Sequence, residues 1–457
     1  MTRRQCRARE HGINTQTKWR PRKVHGTDAR ATPGTSSLFI NLGLFPHAPL
    51  AVSKESRLNP PVFSVRTKRG VFWLEGINSL STTYYFYFIF FVLKRQFDFD
   101  DQKNLLWAAA MGAVFCVAAF LGGKVGQHKG YFKALAIGFA AMGGSLLTGA
   151  FLHGEYPHLA VMLVAAAGMC FTWPNLEAMA AEQESPASLQ RNIGIYNLIW
   201  SGGNGVAFFT GGAMLEYFGW RSIFLVPALM NGVQLILLWR LSRDRSATPT
   251  PAHRQHVTET HLSTPRERKR SPVPPALFMK MAWVANPFSY VAINTAVPLI
   301  PFLAGRLELS PTETGVICSI WFFARTAAFG LLWKWDGWHY RYRFLSLAYL
   351  GMVAGFGGIV LASNLLMLIA AQIVFGVSLG LVYYSSLFYS MDVGETKGEH
   401  GGWHEATIGA GIFAGPAVAF LALHFFPSDA HAGVKAVGLV LMMGFIILTW
   451  LRWRRVP

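Results

Sequence analysis

The first residues that suggest chemistry lie in a long apolar stretch near the start of the sequence. Glu75 is followed by Asn78, Ser81, Thr82 and Tyr85, so a polar residue returns at about every turn of a helix. A carboxylate in an apolar helix is costly unless it faces a protein interior, so Glu75 is a candidate for binding a proton or a polar solute. The alternative is a helix-end carboxylate that pairs with a cytoplasmic lysine or arginine.

Arg325 is the one cation well inside an apolar segment of the sequence. An arginine keeps its charge when it is buried, so it needs a carboxylate, a cluster of carbonyl oxygens or an anionic solute. A solute site, a structural ion pair and snorkelling to the membrane interface are all open interpretations.

Aromatic and amide side chains recur in several other apolar segments. They provide hydrogen-bond donors and acceptors on an otherwise apolar wall, which suits a polar or aromatic solute. Interfacial belts and hydrogen bonds between helices are the alternatives. The candidates for solute binding or ion coupling are Glu75, Asn78, Tyr85, Trp173, Asn175, Asn197, Trp200, Asn294, Arg325, Tyr383, Tyr384 and Tyr389.

Motifs of enzymes and ATP-driven pumps are missing from the sequence. It contains neither the GxxxxGK[ST] phosphate loop nor HExxH, and its four cysteines form no CxxC pair. We therefore expect no catalytic residues, no metal site and no cofactor.

The polar candidates sit in about a dozen apolar segments that are separated by short polar breaks. About twenty residues of helix cross a hydrocarbon core of about 30 Å, and their continuous apolar character favours helices over barrel strands. The sequence therefore predicts an all-α polytopic membrane protein with twelve transmembrane helices in two six-helix bundles. The predicted spans are approximately 71–93, 104–124, 131–152, 157–180, 192–215, 220–241, 276–304, 312–333, 343–362, 365–391, 402–425 and 434–452.

Two polar segments set the domain organisation. Residues 1–70 are rich in Arg, Pro, Ser and Thr, which predicts a disordered basic tail or a start site assigned too early. Residues 242–275 predict a cytoplasmic linker. The amino-terminal bundle is then expected at 71–241 and the carboxy-terminal bundle at 276–457.

The net charge of +18 is concentrated in these polar segments, which argues against nucleic-acid binding. Most of the 41 lysine and arginine residues fall in the tail, the linker and the breaks on one side of the predicted membrane. The positive-inside rule predicts that both termini are cytoplasmic, in a multi-pass protein of the cell inner (plasma) membrane.

The two halves of the sequence share a weak internal repeat. The acidic segment Phe97–Asp101 precedes the second span, and Leu307–Pro311 precedes the eighth. Gly194 and Gly402 open the two Gly-rich spans at nearly the same offset. Duplicated halves in a helical membrane protein are typical of transporters with a midplane site.

The loop between the second and third spans resembles a signature of the major facilitator superfamily. The segment Gly123–Lys133 reads GKVGQHKGYFK, against G-x-L-A-D-R-x-G-R-K in the superfamily. Gly123 and Gly130 fit this signature, whereas Gln127 and His128 replace its Asp and Arg.

The second half carries further points of resemblance. The loop Trp333–Arg341 keeps an acid at Asp336 and a base at Arg341, and Gly411–Pro416 is similar to the Gly-rich motif of the superfamily. The resemblance covers about residues 70–455. It implies a central cavity lined by spans 1, 4, 7 and 10 and an alternating-access mechanism.

Charged residues at the predicted cytoplasmic ends are candidates for a gate. His404 and Glu405 open the eleventh span, where the helix dipole favours a carboxylate. We expect a helix cap or a gate bridge there, and a titrating histidine leaves proton coupling as the alternative. The gate candidates are Gly123, Gly130, Glu177, Asp336, Arg341, His404 and Glu405.

These patterns together predict a secondary active transporter of a small solute, driven either by a gradient of protons or another ion or by the solute's own gradient. The alternative is a transporter-like sensor or scaffold that binds a solute without moving it. The expected partners are the lipid bilayer and the solute, with no nucleic acid, and the protein is expected to be a monomer.

Overall fold

A computed structural model describes residues 63–182, 186–243, 263–271, 273–393 and 397–454, with the side chains of 186–188, 265 and 397–406 excluded. Most of the predicted basic tail, residues 1–62, and the gate candidates His404 and Glu405 lie outside the described residues and side chains.

The described chain is all-helical and forms two six-helix bundles, which confirms the predicted fold class. The first bundle contains α1 (Val65–Phe97), α2 (Asp101–Lys129), α3 (Tyr131–Gly149), α4 (Glu155–Cys170), α5 (Trp173–Ala181), α6 (Pro186–Phe218) and α7 (Ser222–Ser242). After the linker helix α8 (Pro265–Arg268), the second bundle contains α9 (Pro275–Arg306), α10 (Pro311–Cys318), α11 (Ile320–Lys334), α12 (Tyr342–Val360), α13 (Leu365–Val393), α14 (Lys397–Phe425) and α15 (Ala432–Trp453).

Length and composition identify ten helical segments in the described part of the chain that can cross a membrane. Two of these segments are broken helices, α4 with α5 and α10 with α11. The remaining two spans of the twelve are α1 and α6, whose polar and glycine residues lower their hydropathy. Both of these spans carry candidate site residues, namely Glu75, Asn78 and Tyr85 in α1 and Asn197 and Trp200 in α6.

The first span begins earlier than its hydropathy predicts. Ser64 caps α1, because its side chain accepts a hydrogen bond from the Thr67 N–H at 3.0 Å. The basic residues Arg66, Lys68 and Arg69 therefore belong to the first turns of the helix. Hydropathy placed the start near residue 71 because these charges mask the helical turn that precedes the apolar run.

The fourth and eighth spans are interrupted for two different local reasons. Pro174 stands at the start of α5 and has no N–H to continue the ladder of α4. In the eighth span the Ser319 hydroxyl donates to the Val316 carbonyl oxygen at 2.6 Å, at the junction of α10 and α11. Both breaks lie within spans that were predicted as continuous.

The two bundles meet mainly along α2 with α14 and along α6 with α10 and α11. Helices approach closely there because glycine residues of one helix lie directly against the backbone of the other. A Cβ atom at Gly112 of α2 would lie 2.6 Å from the backbone nitrogen of Phe413 in α14. We call the end of the bundles where α7 ends and α9 begins the linker side, and the other end the opposite side.

Candidate functional site

A cavity of about 90 Å³ lies between the bundles, and helices of both bundles line it. This volume is several times the roughly 10–15 Å³ that a cavity needs to hold one water molecule. Its polar wall residues are Thr82, Thr83, Tyr87, Trp173, Glu177, Tyr196, Trp200, Asn204, Tyr290, Asn294, Arg325 and Tyr383. The predicted spans 1, 4, 7 and 10 all contribute, through α1, α5, α9 and α13.

Aromatic rings from the two bundles meet at the cavity wall. The rings of Trp200 in α6 and Tyr383 in α13 have centroids 4.9 Å apart. Tyr87 of α1 packs edge-on against Phe322 of α11 at 5.5 Å. These flat surfaces favour a solute with an apolar or planar body.

Arg325 is 3% exposed and reaches from α11 to the first bundle. Its Nε donates to the Ser201 hydroxyl of α6 at 3.0 Å, and its guanidinium carbon lies 4.3 Å from the centre of the Trp200 ring. Among the described residues no acceptor bonds its Nη2 atom. The sequence missed Ser201 as this partner, and only its position next to Trp200 marks it.

Glu75 lies inside the first bundle and is fully buried. Its carboxylate accepts hydrogen bonds from the Ser79 hydroxyl at 2.8 Å and from the Tyr196 hydroxyl at 2.9 Å. Glu177 of α5 interacts electrostatically with both Glu75 and Tyr196 and lines the cavity. Two carboxylates and a tyrosine therefore connect the first bundle to the cavity wall.

The solute-binding candidates divide into two groups by position. The residues that line the cavity are Trp173, Trp200, Asn294, Arg325 and Tyr383. The residues of the set that are absent from its wall are Glu75, Asn78, Tyr85, Asn175, Asn197, Tyr384 and Tyr389. Even adjacent residues differ in position. Tyr383 lies on the wall of the central cavity, whereas Tyr384 borders a smaller cavity between α6 and α13.

Several candidates behind the wall make contacts inside a bundle. Asn175 donates to the carbonyl oxygens of Gly122 and Phe171 and so ties α5 to α2. Tyr85 packs edge-on against Phe224 of α7. The side-chain amides of Asn78 and Asn197 are buried, and no described residue bonds them. Their role in solute binding stays a prediction.

The described gate candidates lie in three parts of the fold, namely the second half of α2 with its C-cap, α5, and the loop between α11 and α12. Gly130 ends α2 with a φ of 92°, in the region that favours glycine, and Gly123 has open space around its Cβ position. Glu177 is on the cavity wall rather than at the end of a helix. Asp336 lies in the loop after α11, and Arg341 precedes α12.

The linker packs against the linker side of the second bundle. Asp392 at the end of α13 accepts hydrogen bonds from the Ser263 N–H at 2.7 Å, from the Ser263 hydroxyl at 2.5 Å and from the Tyr340 hydroxyl. Arg270 donates to the Asp336 carbonyl oxygen at 2.7 Å. Tyr389 accepts a hydrogen bond from the Tyr340 N–H at 2.8 Å. We call these residues the docking cluster: Ser263, Arg270, Asp336, Tyr340, Tyr389 and Asp392.

His339 is buried beneath this cluster. Its Nδ1 atom lies 3.6 Å from the Glu267 carboxylate, which is too long for a hydrogen bond. Burial lowers the pKa of His339 to about 4, and burial raises the pKa of Glu267 above its usual value. His339 is therefore neutral at neutral pH.

The chain is similar to a known family over its first bundle and the start of its second. The family model described as Major Facilitator Superfamily matches residues 71–289. No curated protein matches the chain in a sequence search.

Solved transporters share the fold over nearly their whole length. The nucleoside transporter NupG aligns with a TM-score of 0.60 and 14% identity, over 84% of this chain and 98% of that one. A bacterial homologue of the human lysosomal transporter Spinster, inward-facing and unoccupied, aligns at 0.61 and 12%, over 84% and 95%. The human organic anion transporter MFSD10 aligns at 0.60 and 15%, over 85% and 99%.

Proposed function

We propose that the chain is a member of the Major Facilitator Superfamily and works as a secondary active transporter that moves a small solute by alternating access. The observation that carries this proposal is the cavity between the bundles, because both bundles supply its polar wall. A site shared by two bundles changes its exposure when the bundles rock against each other.

Contacts between the bundles above and below the cavity support this mechanism. On the opposite side the Lys94 ammonium donates to the Pro301 carbonyl oxygen at 2.9 Å, and the Thr312 N–H donates to Glu216 at 3.0 Å. On the linker side Gly194 of α6 lies against the Trp333 ring of α11, because a Cβ atom at position 194 would be 2.9 Å from that ring. Breaking either set of contacts alone opens one path to the central cavity.

The two carboxylates of the first bundle are the proposed coupling groups. Glu75 accepts a hydrogen bond from Tyr196, and Glu177 interacts electrostatically with both residues. Neither carboxylate forms an ion pair with a described lysine or arginine within 4.0 Å. A buried carboxylate without a cation accepts a proton or a metal cation readily. We place both termini in the cytoplasm, as the distribution of basic residues indicates.

The test is a screen for ligands followed by a transport measurement. Solutes that raise the melting temperature of the purified protein are then offered, as labelled compounds, to proteoliposomes with an imposed proton or sodium gradient. Accumulation inside the vesicles supports a transporter. Stabilisation of the protein without accumulation indicates a sensor and contradicts the proposal.

A pair of variants separates the cavity from general damage. Ala108 lines the cavity, whereas Ala113, on the same helix, is exposed on the outer surface of the bundle. Ala108→Phe fills the cavity and is expected to abolish uptake, and Ala113→Phe is expected to leave uptake unchanged. Equal uptake by the two variants would contradict a solute path through this cavity.

A further inference from the structure

Arg325 carries a charge that the described part of the protein does not neutralise. The titratable groups that interact with its guanidinium are three tyrosines, Tyr87, Tyr290 and Tyr383. No described aspartate or glutamate lies within ion-pair distance of it. A buried cation without a counter-ion is costly, so the position calls for an anion.

The protein already fixes the orientation of the guanidinium plane. The Nε atom is bonded to Ser201, and the Trp200 ring lies against the guanidinium at 4.3 Å. The remaining edge includes Nη2, which is buried and lacks an acceptor among the described residues. Arg325 also lines the central cavity. An edge of this kind is suited to binding the two oxygens of a carboxylate.

We infer that the solute is a small organic monoanion whose carboxylate accepts hydrogen bonds from Arg325 while its apolar body lies against Trp200 and Tyr383. This inference rests on the proposed function and names its substrate class. The cavity volume of about 90 Å³ limits the body to a few carbon atoms or one ring in this conformation. Glu177 on the same wall disfavours a second negative charge on the solute.

The competing role for Arg325 is structural, as a tie between α11 and α6 through Ser201. The two roles differ in what happens when the charge is removed. A structural tie predicts that Arg325→Gln is less stable than the wild type in the absence of any ligand. A binding residue predicts equal or greater stability, because the cost of an unneutralised buried charge disappears.

The experiment compares acids with their amides on purified protein. The probes are acetate, butyrate, benzoate and 3-phenylpropionate, each paired with its neutral amide, and the readouts are melting temperature and calorimetric affinity. We expect at least one acid to stabilise the wild type and its amide to bind roughly tenfold more weakly or worse. Arg325→Gln should remove the difference between acid and amide.

The control is Arg343→Gln, which removes an exposed arginine that also lies over an aromatic ring, 4.9 Å from the centre of Phe344. It should leave the preference for acids unchanged. The inference is overturned if no acid binds better than its amide, if the preference survives in Arg325→Gln, or if Arg325→Gln is markedly destabilised without ligand.

Transport separates this inference from the proposed function. A preferred acid that binds through Arg325 but does not enter proteoliposomes supports the anion site and contradicts the transporter. Uptake of a neutral or cationic solute that is unaffected by Arg325→Gln supports the transporter and contradicts the anion site.

Discussion

Glu75 holds a buried carboxylate whose two hydrogen-bond donors are both hydroxyl groups. Ser79 is one turn away on the same helix, and Tyr196 comes from α6. The alternative of pairing with a cytoplasmic lysine or arginine finds no support, since neither bonds Glu75 among the described residues. A carboxylate held by neutral donors keeps its place whether or not it carries a proton, which suits a coupling role.

We predict that Glu75→Gln separates coupling from binding. Glutamine keeps one oxygen acceptor, and its N–H₂ group can donate to the other hydroxyl, whose oxygen is also an acceptor, so stability should fall by only about 1 kcal/mol. Proteoliposomes should lose accumulation against a gradient but keep exchange of labelled for unlabelled solute. Glu308→Gln, at an exposed position before α10, is the control and should accumulate normally. Unimpaired accumulation by Glu75→Gln would rule out coupling at this residue.

His339 gives a pH dependence whose sign follows from its low pKa. Its pKa is about 4 in the folded protein and about 6.5 in an unfolded chain, so the unfolded state binds more protons between these values. Stability is therefore complete above about pH 6.5 and falls as the pH drops towards 4, by at most about 3 kcal/mol.

We predict that His339→Gln flattens this part of the stability profile. Glu267 nearby has a raised pKa and changes stability in the opposite direction, so the informative quantity is the difference between variant and wild type. Melting temperatures in detergent between pH 4 and 7.5 provide the measurement. The control is His153→Gln, which alters an exposed histidine. A difference that does not vary with pH would contradict the assignment.

At the scale of the elements, the linker segment docks against the second bundle. The segment from Ser263 to Arg270 is held by Asp392, and Arg268 donates to the Ser263 carbonyl oxygen at 2.9 Å. Asparagine at position 392 has one oxygen acceptor for three donors and presents an N–H₂ group to one of them. The docked segment should therefore lose about 1–3 kcal/mol of stability in Asp392→Asn.

Limited proteolysis measures this loss. Trypsin cleaves after Arg266, Arg268, Lys269 and Arg270, and the cleavage rate follows the population of the undocked segment when docking is fast. We predict that Asp392→Asn is cleaved in this segment roughly tenfold faster than the wild type. Asp429→Asn removes a carboxylate paired with Lys435 outside the linker and should not change the rate. Identical rates for both variants would show that Asp392 does not hold the linker.

The sequence predicted the positions of helices and breaks only where hydropathy alone determines them. Twelve apolar segments identify the helices, but the break at Ser319 arises from one side-chain hydrogen bond that leaves no mark in composition. The break before Pro174 was open to prediction from its missing N–H. A hydropathy scale misses helix boundaries that lie among charged residues, as at the start of α1.

The site was less predictable because it depends on which face of each helix points inward. Helix α13 is largely apolar around its circumference, so the sequence could not separate Tyr383, which lines the cavity, from Tyr384. Tyr87 was missed because it lies in a run of aromatic residues, although Thr83, four residues earlier, lies on the same helix face and also lines the cavity. Arg325 was found because its charge in an apolar segment needs no knowledge of the helix face.

At the scale of the whole molecule, two glycines of α6 lie at opposite ends of the contact between the bundles. Near the linker side, a Cβ atom at Gly194 would lie 2.9 Å from the Trp333 ring of α11. Near the opposite side, a Cβ atom at Gly212 would overlap the carbonyl oxygen of Pro311 at the start of α10. A ring can turn away, whereas a backbone carbonyl moves only with its helix.

We predict that alanine at these two positions biases the transporter in opposite directions. Gly212→Ala should separate α6 from α10 and populate a state open on the opposite side. Gly194→Ala should populate a state open on the linker side, with a smaller effect because Trp333 can adjust. A single cysteine at position 294 on the cavity wall, with the native cysteines replaced by serine, reports each state through its labelling by a membrane-impermeant maleimide from either face of a vesicle.

Gly232→Ala is the control for this pair, since a Cβ atom at that position meets no atom within 4 Å. It should label as the parent does. If Gly212→Ala and Gly194→Ala increase labelling from the same face, the two ends of α6 do not act as separate gates. If neither variant changes labelling while both fold, the contacts of α6 with α10 and α11 do not control access to the cavity. Opposite changes would tie the close packing of α6 to the rocking of the two bundles, because each substitution acts at only one end of the contact.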